Sequence, residues 1–221
     1  MSAGESAVLD GDGAERFAQC IAAGGVVVFP ADTVYGLACD PLQAHAVQRL
    51  YELKGRPPAK PAAVMFFALE HALDALPELG PRTAAALGSL LPGPLTVLLE
   101  NPCRRYPLAC AAGAGEDGTL GLRVPALLPR LAALARIERP VLQSSANLSG
   151  GPEARTLAEV QPALRTGADL VLDAGQLPGV ASTVLDLREY ERRRHWRVLR
   201  AGPLGEEELA RALSAPASSE T

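Results

Sequence analysis

Two short segments of the sequence combine charged or polar side chains at a spacing of two residues. Lys54 and Arg56 form one pair, and Ser145 and Asn147 form the other. Residues two apart face the same side of an extended chain, so each pair presents two groups in one direction if Gly55 is extended. Two adjacent cations repel unless an anion lies between them, so the first pair predicts an anionic ligand. The second pair offers short hydrogen-bonding groups. A solvated, proline-rich turn is the alternative interpretation of the first segment.

The two lysines of the chain lie close together. Among 21 Lys and Arg residues, only Lys54 and Lys60 are lysines, and they fall within one seven-residue window. A compact, flexible ammonium differs chemically from a planar guanidinium, so this placement indicates a functional need for lysine. Chance in an arginine-biased composition is the alternative explanation.

Further candidates follow predicted strands. Residues 26–29 are apolar and β-branched or aromatic, which predicts a strand buried on both faces, and Thr33 and Tyr35 come just after it. Arg123 lies near the end of a predicted strand over 119–124. Ligands of open α/β sheets bind beyond the carboxyl ends of strands. Together with the two pairs and the second lysine, these positions predict a pocket that binds and aligns phosphates; a plain polar loop is the alternative around Tyr35.

Several other kinds of site are excluded or disfavoured by the sequence. There is no P-loop, no GxGxxG turn and no HExxH motif, and Ser144 and Ser145 do not lie in a GxSxG elbow. The four cysteines are scattered without a CxxC pair, which disfavours both zinc and disulfides. Asp32 and Asp40 are predicted to be solvent-facing caps, so no protein metal site is predicted.

Length and composition predict one soluble, cytoplasmic domain. The chain has 221 residues and a formal charge of −4, which argues against non-specific coating of nucleic acid. Its longest apolar run, residues 62–69, is too short to span a bilayer, and the acidic start does not resemble a signal peptide. We expect a flexible N-terminus over residues 1–11, a domain over 12–213 and a disordered tail over 214–221.

The elements that must position the site follow from periodicity and breakers. Asp12 and Glu15 predict a capping box at the start of a helix that ends at Gly24, and Gly55 ends a helix over 43–53. The loop 101–118 has no periodicity and is predicted to be a mobile lid. The other predicted helices are 69–76, 82–91 with Pro81 at its start, 127–135 and 206–213. The other predicted strands are 62–67, 95–99, 141–142, 170–172, 183–187 and 196–199.

Seven motifs in this order resemble those of one known family. They are FPADTVYGLACD, KGRP, PGPLTVLL, LRVP, SSANLSG, STVLD and VLRAG, and they extend over about residues 15–202. The sequence resembles the YrdC family of threonylcarbamoyl-AMP synthases, in a short single-domain form without an additional C-terminal domain. The resemblance implies a twisted, open, mixed β-sheet flanked by helices around a concave basic cavity.

The resemblance also implies an activity. L-threonine, bicarbonate and ATP would give threonylcarbamoyl-adenylate and pyrophosphate, with Mg2+ accompanying ATP. The product would feed the threonylcarbamoyl modification of adenosine 37 in tRNA through a downstream transferase complex. tRNA itself is a further possible partner, and no membrane partner is implied.

Residue roles carried over by position are likewise implied by the resemblance. The catalytic signature would be Lys54, Arg56, Ser145 and Asn147. The ATP contacts would be Arg56, Lys60, Thr119, Arg123, Ser145 and Arg200. The threonine contacts would be Thr33, Tyr35 and Ser182. Two positions depart from the pattern: Met65 stands where many relatives carry histidine, and Glu153 replaces a frequent serine.

Two other functions remain open at this stage. One is a non-catalytic RNA-binding module with the same cavity, although the negative charge and the few aromatics disfavour stacking on bases. The other is a paralogue that uses another carbamoyl acceptor or carbamoyl phosphate.

Overall fold

A ten-stranded mixed sheet organises the part of the chain that the computed structural model describes, residues 6–8, 10–57, 60–110 and 118–214. The strands are β1 Ser6–Val8, β2 Val27–Pro30, β3 Tyr35–Cys39, β4 Ala63–Met65, β5 Leu95–Glu100, β6 Thr119–Arg123, β7 Val141–Ser145, β8 Leu170–Asp173, β9 Thr183–Asp186 and β10 Arg197–Arg200. Their order across the sheet is β1-β8-β2-β3-β7-β4-β6-β5-β9-β10. The sheet is twisted and open.

Helices connect and flank these strands. They are α1 Gly11–Ala22, α2 Ala44–Lys54, α3 Leu69–Ala75, α4 Pro81–Leu90, α5 Pro162–Gly167, α6 Tyr190–Arg193 and α7 Glu206–Ser214. Short 3-10 helices cover Pro107–Ala109, Pro129–Arg136 and Leu157–Glu159. The predicted helix over 127–135 is therefore a 3-10 helix, and the other predicted helices and strands are present within a few residues of their expected bounds.

The strand β3 is absent from the sequence prediction, which treated this stretch as loop. It runs antiparallel to β2, with Phe29 opposite Gly36, and antiparallel to β7, with Gly36 opposite Ser145. All five of its residues are buried because neighbouring strands flank it in the middle of the sheet. Gly36 and Ala38 have low strand propensity, so tertiary pairing overrides the local preference.

The N-terminal segment also differs from expectation. Residues 6–8 form β1, which pairs in parallel with β8, so the flexible segment predicted over 1–11 is wrong there; residues 1–5 and 9 lie outside the described residues. The N-cap of α1 is Asp10, whose carboxylate accepts from the backbone N–H of Gly13 at 2.9 Å. The predicted capping box at Asp12 is therefore wrong, and that residue lies in the first turn. Ser214, the first residue of the predicted tail over 214–221, is the last residue of α7, and residues 215–221 lie outside the described residues.

The end of α2 fixes the direction of the first signature pair. Gly55 caps the helix in the left-handed region, with a φ of +57°, and Lys54 is the last helical residue. The condition for the two cations to face one side, an extended Gly55, is not met. The side chains of Lys54 and Arg56 therefore point in different directions.

The alternation of side chains along β5 separates core from cavity. Leu95, Val97 and Leu99 are buried on one face, whereas Thr96 and Leu98 are partly exposed on the other. Residues two apart share a face of a strand, so the second set belongs to an open surface of the sheet.

Candidate active site

A concave cavity of about 280 Å³ lies over that open face of the sheet. Its floor is built from alternate residues of adjacent strands, such as Thr119, Gly121 and Arg123 of β6. Gly121 pairs with Leu98 of β5, which also lines the cavity. Arg123 and Ser145, the last residues of β6 and β7, line the cavity, as a site beyond strand ends requires. The cavity also extends across the sheet, which the expectation did not include.

Six of the predicted site residues line this one cavity. They are Arg56, Thr119, Arg123, Ser145, Ser182 and Arg200. These residues come from five separate segments of the chain, since Thr119 and Arg123 share β6, so the fold brings together groups that are distant in sequence. Among the described lining residues, the three arginines are the cations and Glu153 is the acid.

The most buried of these cations is paired within the protein. Arg123 is 5% exposed, and its Nη2 donates to Oδ1 of Asp32 at 2.7 Å. Burial lowers the pKa of Arg123 and raises that of Asp32, while each partner's charge opposes the other's shift. Asp32 is 5% exposed, so its predicted role as a solvent-facing cap is wrong. The pair sets a cation firmly in the cavity wall.

Arg56 is fixed at the rim with donors to spare. Its Nε donates to the Lys60 carbonyl at 3.1 Å, and Nη2 donates to the Pro61 carbonyl at 2.5 Å. Nη1 lies 3.4 Å from Oγ of Ser144, and the guanidinium lies over the Tyr51 ring. A guanidinium carries five N–H groups, so two have no partner within the described part of the chain and can bind a ligand. The side chain of Lys60 is exposed and does not line the cavity; its predicted ATP contact is not brought to this site.

Lys54 does not face the cavity. It is 2% exposed, and its Nζ donates to the carbonyl and Oδ1 of Asn147, each at 2.8 Å, and to the carbonyl of Ser145. Burial, with the charge of Arg56, lowers the pKa of Lys54 to about 8. The ammonium is therefore an internal clamp on the Ser145–Asn147 segment, and its predicted place beside Arg56 in an anion site is wrong.

The second signature pair does share a side, as its spacing predicts. Oγ of Ser145 donates to Oδ1 of Asn147 at 2.6 Å, and Nδ2 of Asn147 donates to the Gly151 carbonyl at 2.5 Å. Ser145 lines the cavity and Asn147 does not. Asn147 acts behind Ser145 by joining it to the Lys54 ammonium.

The three residues predicted to hold threonine have different settings. Ser182 lines the cavity, where its Oγ lies 2.9 Å from Oγ1 of Thr96 and accepts from Nη2 of Arg200 at 3.1 Å. Thr33 is buried next to the lining residue Val34, and its Oγ1 has no partner among the described residues. Tyr35 points elsewhere: its hydroxyl donates to Asp173 at 2.5 Å and also contacts the Gly175 carbonyl. Tyr35 does not line this cavity, because β3 turns its ring into the core, and its place in a threonine pocket stays a prediction.

A model of the Sua5_yciO_yrdC family, described as "Telomere recombination", matches residues 19–202. The chain belongs to the Sua5/YciO/YrdC family. A threonylcarbamoyl-AMP synthase of Pyrococcus abyssi is 34% identical over 169 residues, which are 76% of this chain and 48% of that protein. One of Xanthomonas campestris is 37% identical over 167 residues, 73% of this chain and 84% of that protein. The chain thus spans about half the length of the first relative and most of the second.

Solved structures of the Sua5/YciO/YrdC family share the fold. Sua5 of P. abyssi in complex with L-threonine aligns with a TM-score of 0.76 and 29% identity, covering 93% of this chain and 58% of that one. YciO of E. coli aligns with a TM-score of 0.72 and 22% identity, covering 90% and 94%, and supports the fold alone. The predicted family and the predicted open mixed α/β sheet are confirmed.

Several polar residues that line the cavity are absent from the sequence prediction. Gln143 of β7 and Thr96 of β5 line it, and both sit two residues from another lining residue on the same strand. Of seven buried side-chain atoms without a partner in the described part of the chain, five belong to lining residues or their neighbours. These atoms are Oδ2 of Asp32, Oγ1 of Thr33, Nε of Arg123, Nε2 of Gln143 and Oε2 of Glu153. Buried polar atoms are normally hydrogen-bonded, so their concentration here indicates a polar ligand.

The two departures from the family pattern have different settings. Met65 is fully buried on β4 opposite Arg123 and supplies no polar group. Glu153 lines the cavity. Within the described ranges no group of three or more His, Cys, Asp or Glu residues is arranged to hold a metal ion. The four cysteines form no disulfide among the described residues. The helices of the described part are all too short or too polar to span a membrane. Of the predicted lid over 101–118, residues 111–117 lie outside the described part, so the lid stays a prediction.

A charged network supports the cavity wall at Thr119. Arg188 donates from Nη1 to Oγ1 of Thr119 at 3.3 Å, and it forms a two-point ion pair with Asp186, with Nε–Oδ1 and Nη2–Oδ2 distances of 2.9 Å. Arg197 adds a contact to Oδ2 of Asp186 at 3.1 Å. Although burial acts in the opposite direction, hydrogen bonds from Arg188 and Arg197 lower the pKa of Asp186 to about 2.

We predict that Asp186→Asn lowers the free energy of unfolding at pH 7 by about 1–2 kcal/mol. Because the folded pKa lies below the unfolded value of 3.8, this stabilisation is complete above pH 3.8 and is lost as the pH falls through about 2. Urea unfolding of both proteins between pH 2 and pH 7 measures the difference. A deficit that stays the same at pH 2 would mean that packing, and not charge, is responsible.

Proposed function

We propose that this chain is a threonylcarbamoyl-AMP synthase, which converts L-threonine, bicarbonate and ATP into threonylcarbamoyl-adenylate and pyrophosphate. The observation that carries the proposal is the convergence of Arg56, Arg123 and Arg200 with Ser145 and Ser182 in one cavity. In and beside this cavity lie buried polar atoms that have no partner among the described residues. The names of the relatives and the threonine-bound Sua5 structure support this assignment.

The chemistry asks the protein mainly for alignment and charge neutralisation. Bicarbonate takes up a proton and loses water to give CO2. The amine of threonine adds to CO2 and gives a carbamate, with loss of a proton. A carbamate oxygen then attacks the α-phosphorus of ATP, and the bond to the β-phosphate oxygen breaks as pyrophosphate leaves. Bringing two anions into this geometry removes a large entropic barrier, and each well-placed donor on developing charge contributes about 3 kcal/mol.

The cavity supplies these donors from rigid elements. Arg123 is held by Asp32, and Arg200 donates from Nη2 to the Ser182 carbonyl at 2.8 Å, so both guanidiniums are oriented before a ligand binds. Arg56 lies at the rim, and its contacts with described residues leave two N–H groups for a ligand. Arginine suits this task because its planar fork matches phosphate and carboxylate oxygens.

Mg2+ is part of the proposal as the companion of ATP. Such an ion is usually held by one or two carboxylates together with the substrate phosphates. Glu153 fits that need, since it lines the cavity and its Oε2 is buried without a partner among the described residues. When bound, Mg2+ supplies neutralisation of the phosphate charge.

The wider setting is proposed on the same basis. The adenylate would pass to a tRNA-modifying transferase, with the tRNA as the final acceptor, and the protein would act in the cytoplasm. Nothing in the described surface identifies the docking site of the transferase.

A pyrophosphate-release assay tests the proposed function. Purified protein with ATP, Mg2+, bicarbonate and L-threonine is expected to release pyrophosphate, and omission of threonine is expected to abolish the signal. Threonine-independent release, or none, would overturn the proposal. Salt-sensitive tRNA binding without turnover would instead favour the RNA-binding module. Competition by carbamoyl phosphate or by another amine would favour the paralogue.

A further inference from the structure

Glu153 occupies a fixed position over the cavity. The following residue, Ala154, is 2% exposed, and its carbonyl accepts from the Tyr35 N–H at 2.8 Å. The carbonyl of Arg155 accepts from the Leu177 N–H at the same distance. Backbone bonds to two separate segments therefore hold this stretch in place, and Glu153 enters the cavity from a constrained backbone.

The carboxylate of Glu153 lacks an internal partner for one oxygen. Its Oε2 is buried and makes no hydrogen bond within the described ranges. Burying a charged oxygen without a partner is costly, so a ligand that brings a cation or a donor is expected at this atom. Its charge is felt nearby: burial lowers the pKa of Lys54 and of Arg123, and Glu153 opposes both shifts.

The charges of the cavity and of the proposed substrates do not balance. Three arginines and one glutamate among the described lining residues give a net charge of +2, which falls to +1 when Asp32, the buried partner of Arg123, is counted. ATP alone carries about −4 at neutral pH, and phosphoryl-transfer sites neutralise such charge with metal ions. A carboxylate beside the phosphates also repels them, unless a cation lies between.

We infer that Glu153 is a ligand of the divalent cation that accompanies ATP in this cavity. The inference rests on the proposed function and names the group that the protein contributes to the ion. The glutamate at position 153, where relatives frequently carry serine, would then affect nucleotide binding. The nucleotide binds productively as its Mg2+ complex, and free ATP is repelled. A carboxylate oxygen joined by phosphate oxygens is the donor set that Mg2+ prefers.

Calorimetric titration with a non-hydrolysable ATP analogue tests the inference without relying on turnover. Wild type, Glu153→Gln and Glu153→Ser are compared in Mg2+ and in EDTA. In Mg2+ both variants are expected to bind the analogue about tenfold more weakly than wild type, because a metal ligand is lost. In EDTA both are expected to bind it about tenfold more tightly, because repulsion is removed. Glu207→Gln is the control, because it removes the same negative charge at an exposed position of α7. It is expected to match wild type in both buffers.

The other roles of Glu153 give different results. A direct hydrogen bond to the nucleotide would weaken binding equally in both buffers, and an ammonium-binding role would leave the affinity for the analogue unchanged while weakening threonine binding. Either outcome overturns the inference but leaves the synthase proposal intact. If wild type binds the analogue in neither buffer and releases no pyrophosphate, the proposed function itself fails.

Discussion

Replacing Arg56 by alanine is expected to reduce threonine-dependent pyrophosphate release by about 100- to 1,000-fold. Arg56 lies at the rim of the cavity, and its contacts with the Lys60 and Pro61 carbonyls and with Ser144, taken over the described residues, leave two N–H groups for a ligand. These donors are placed to bind the polyphosphate of ATP, and alanine removes them together with the charge. Arg56→Lys restores the charge without the fork, so we expect an activity between those of wild type and Arg56→Ala.

The same substitution separates a role in the reaction from a role in folding. The lost contacts of Arg56 lie near the surface and are worth about 1 kcal/mol, which for a chain of this size lowers the melting temperature by about 2–4 °C. Arg211→Ala, an exposed arginine of α7, serves as the control for both activity and melting. Unchanged pyrophosphate release by Arg56→Ala would remove this residue from the site.

Replacing Lys54 by methionine is expected to impair both stability and activity. Methionine has a similar length but cannot donate, so two carbonyls and Oδ1 of Asn147 lose the ammonium that now binds them. We expect the free energy of unfolding to fall by about 3 kcal/mol. We also expect pyrophosphate release to fall by about 100-fold, because Ser145 is no longer held against the cavity. Urea unfolding measures the loss of stability, and the pyrophosphate-release assay measures the loss of activity.

Hydrogen exchange distinguishes this clamp from a direct contact with the substrate. The backbone N–H of Ser149 donates to the Lys54 carbonyl at 3.0 Å, and amides in residues 145–149 of Lys54→Met are expected to exchange faster than in wild type. The other lysine, Lys60, has an exposed side chain. Lys60→Met is therefore expected to keep the free energy of unfolding within about 0.5 kcal/mol of the wild-type value. Lost activity with unchanged stability and unchanged exchange would contradict the clamp and return Lys54 to the substrate site.

Local sequence signals predicted the parts of the fold that depend on local rules. Gly55 ends α2, and Pro81 begins α4, because glycine and proline act through their own backbone preferences. β3 was missed, since Gly36 and Ala38 form a strand only through pairing with β2 and β7. The direction of Lys54 was also missed, because it depends on the left-handed cap at Gly55.

The candidate site was predictable in its members more than in its geometry. Six of the residues that the resemblance implies do line one cavity. Tyr35 and Lys60 do not line it, and Lys54 and Asn147 bind each other behind its wall. Asp32 looked like a loop cap because its partner, Arg123, lies far away in sequence. Lining residues such as Thr96 and Gln143 follow from strand alternation only when the open face of the sheet is known.

The most direct test of the account follows carbon from bicarbonate into the nucleotide product. The protein is incubated with 13C-bicarbonate, L-threonine, ATP and Mg2+, and the products are analysed by mass spectrometry. If the cavity aligns all three substrates, an adenylate forms that contains threonine and one labelled carbon, together with pyrophosphate. An adenylate without the label, or labelled carbon that never joins AMP, would contradict the account.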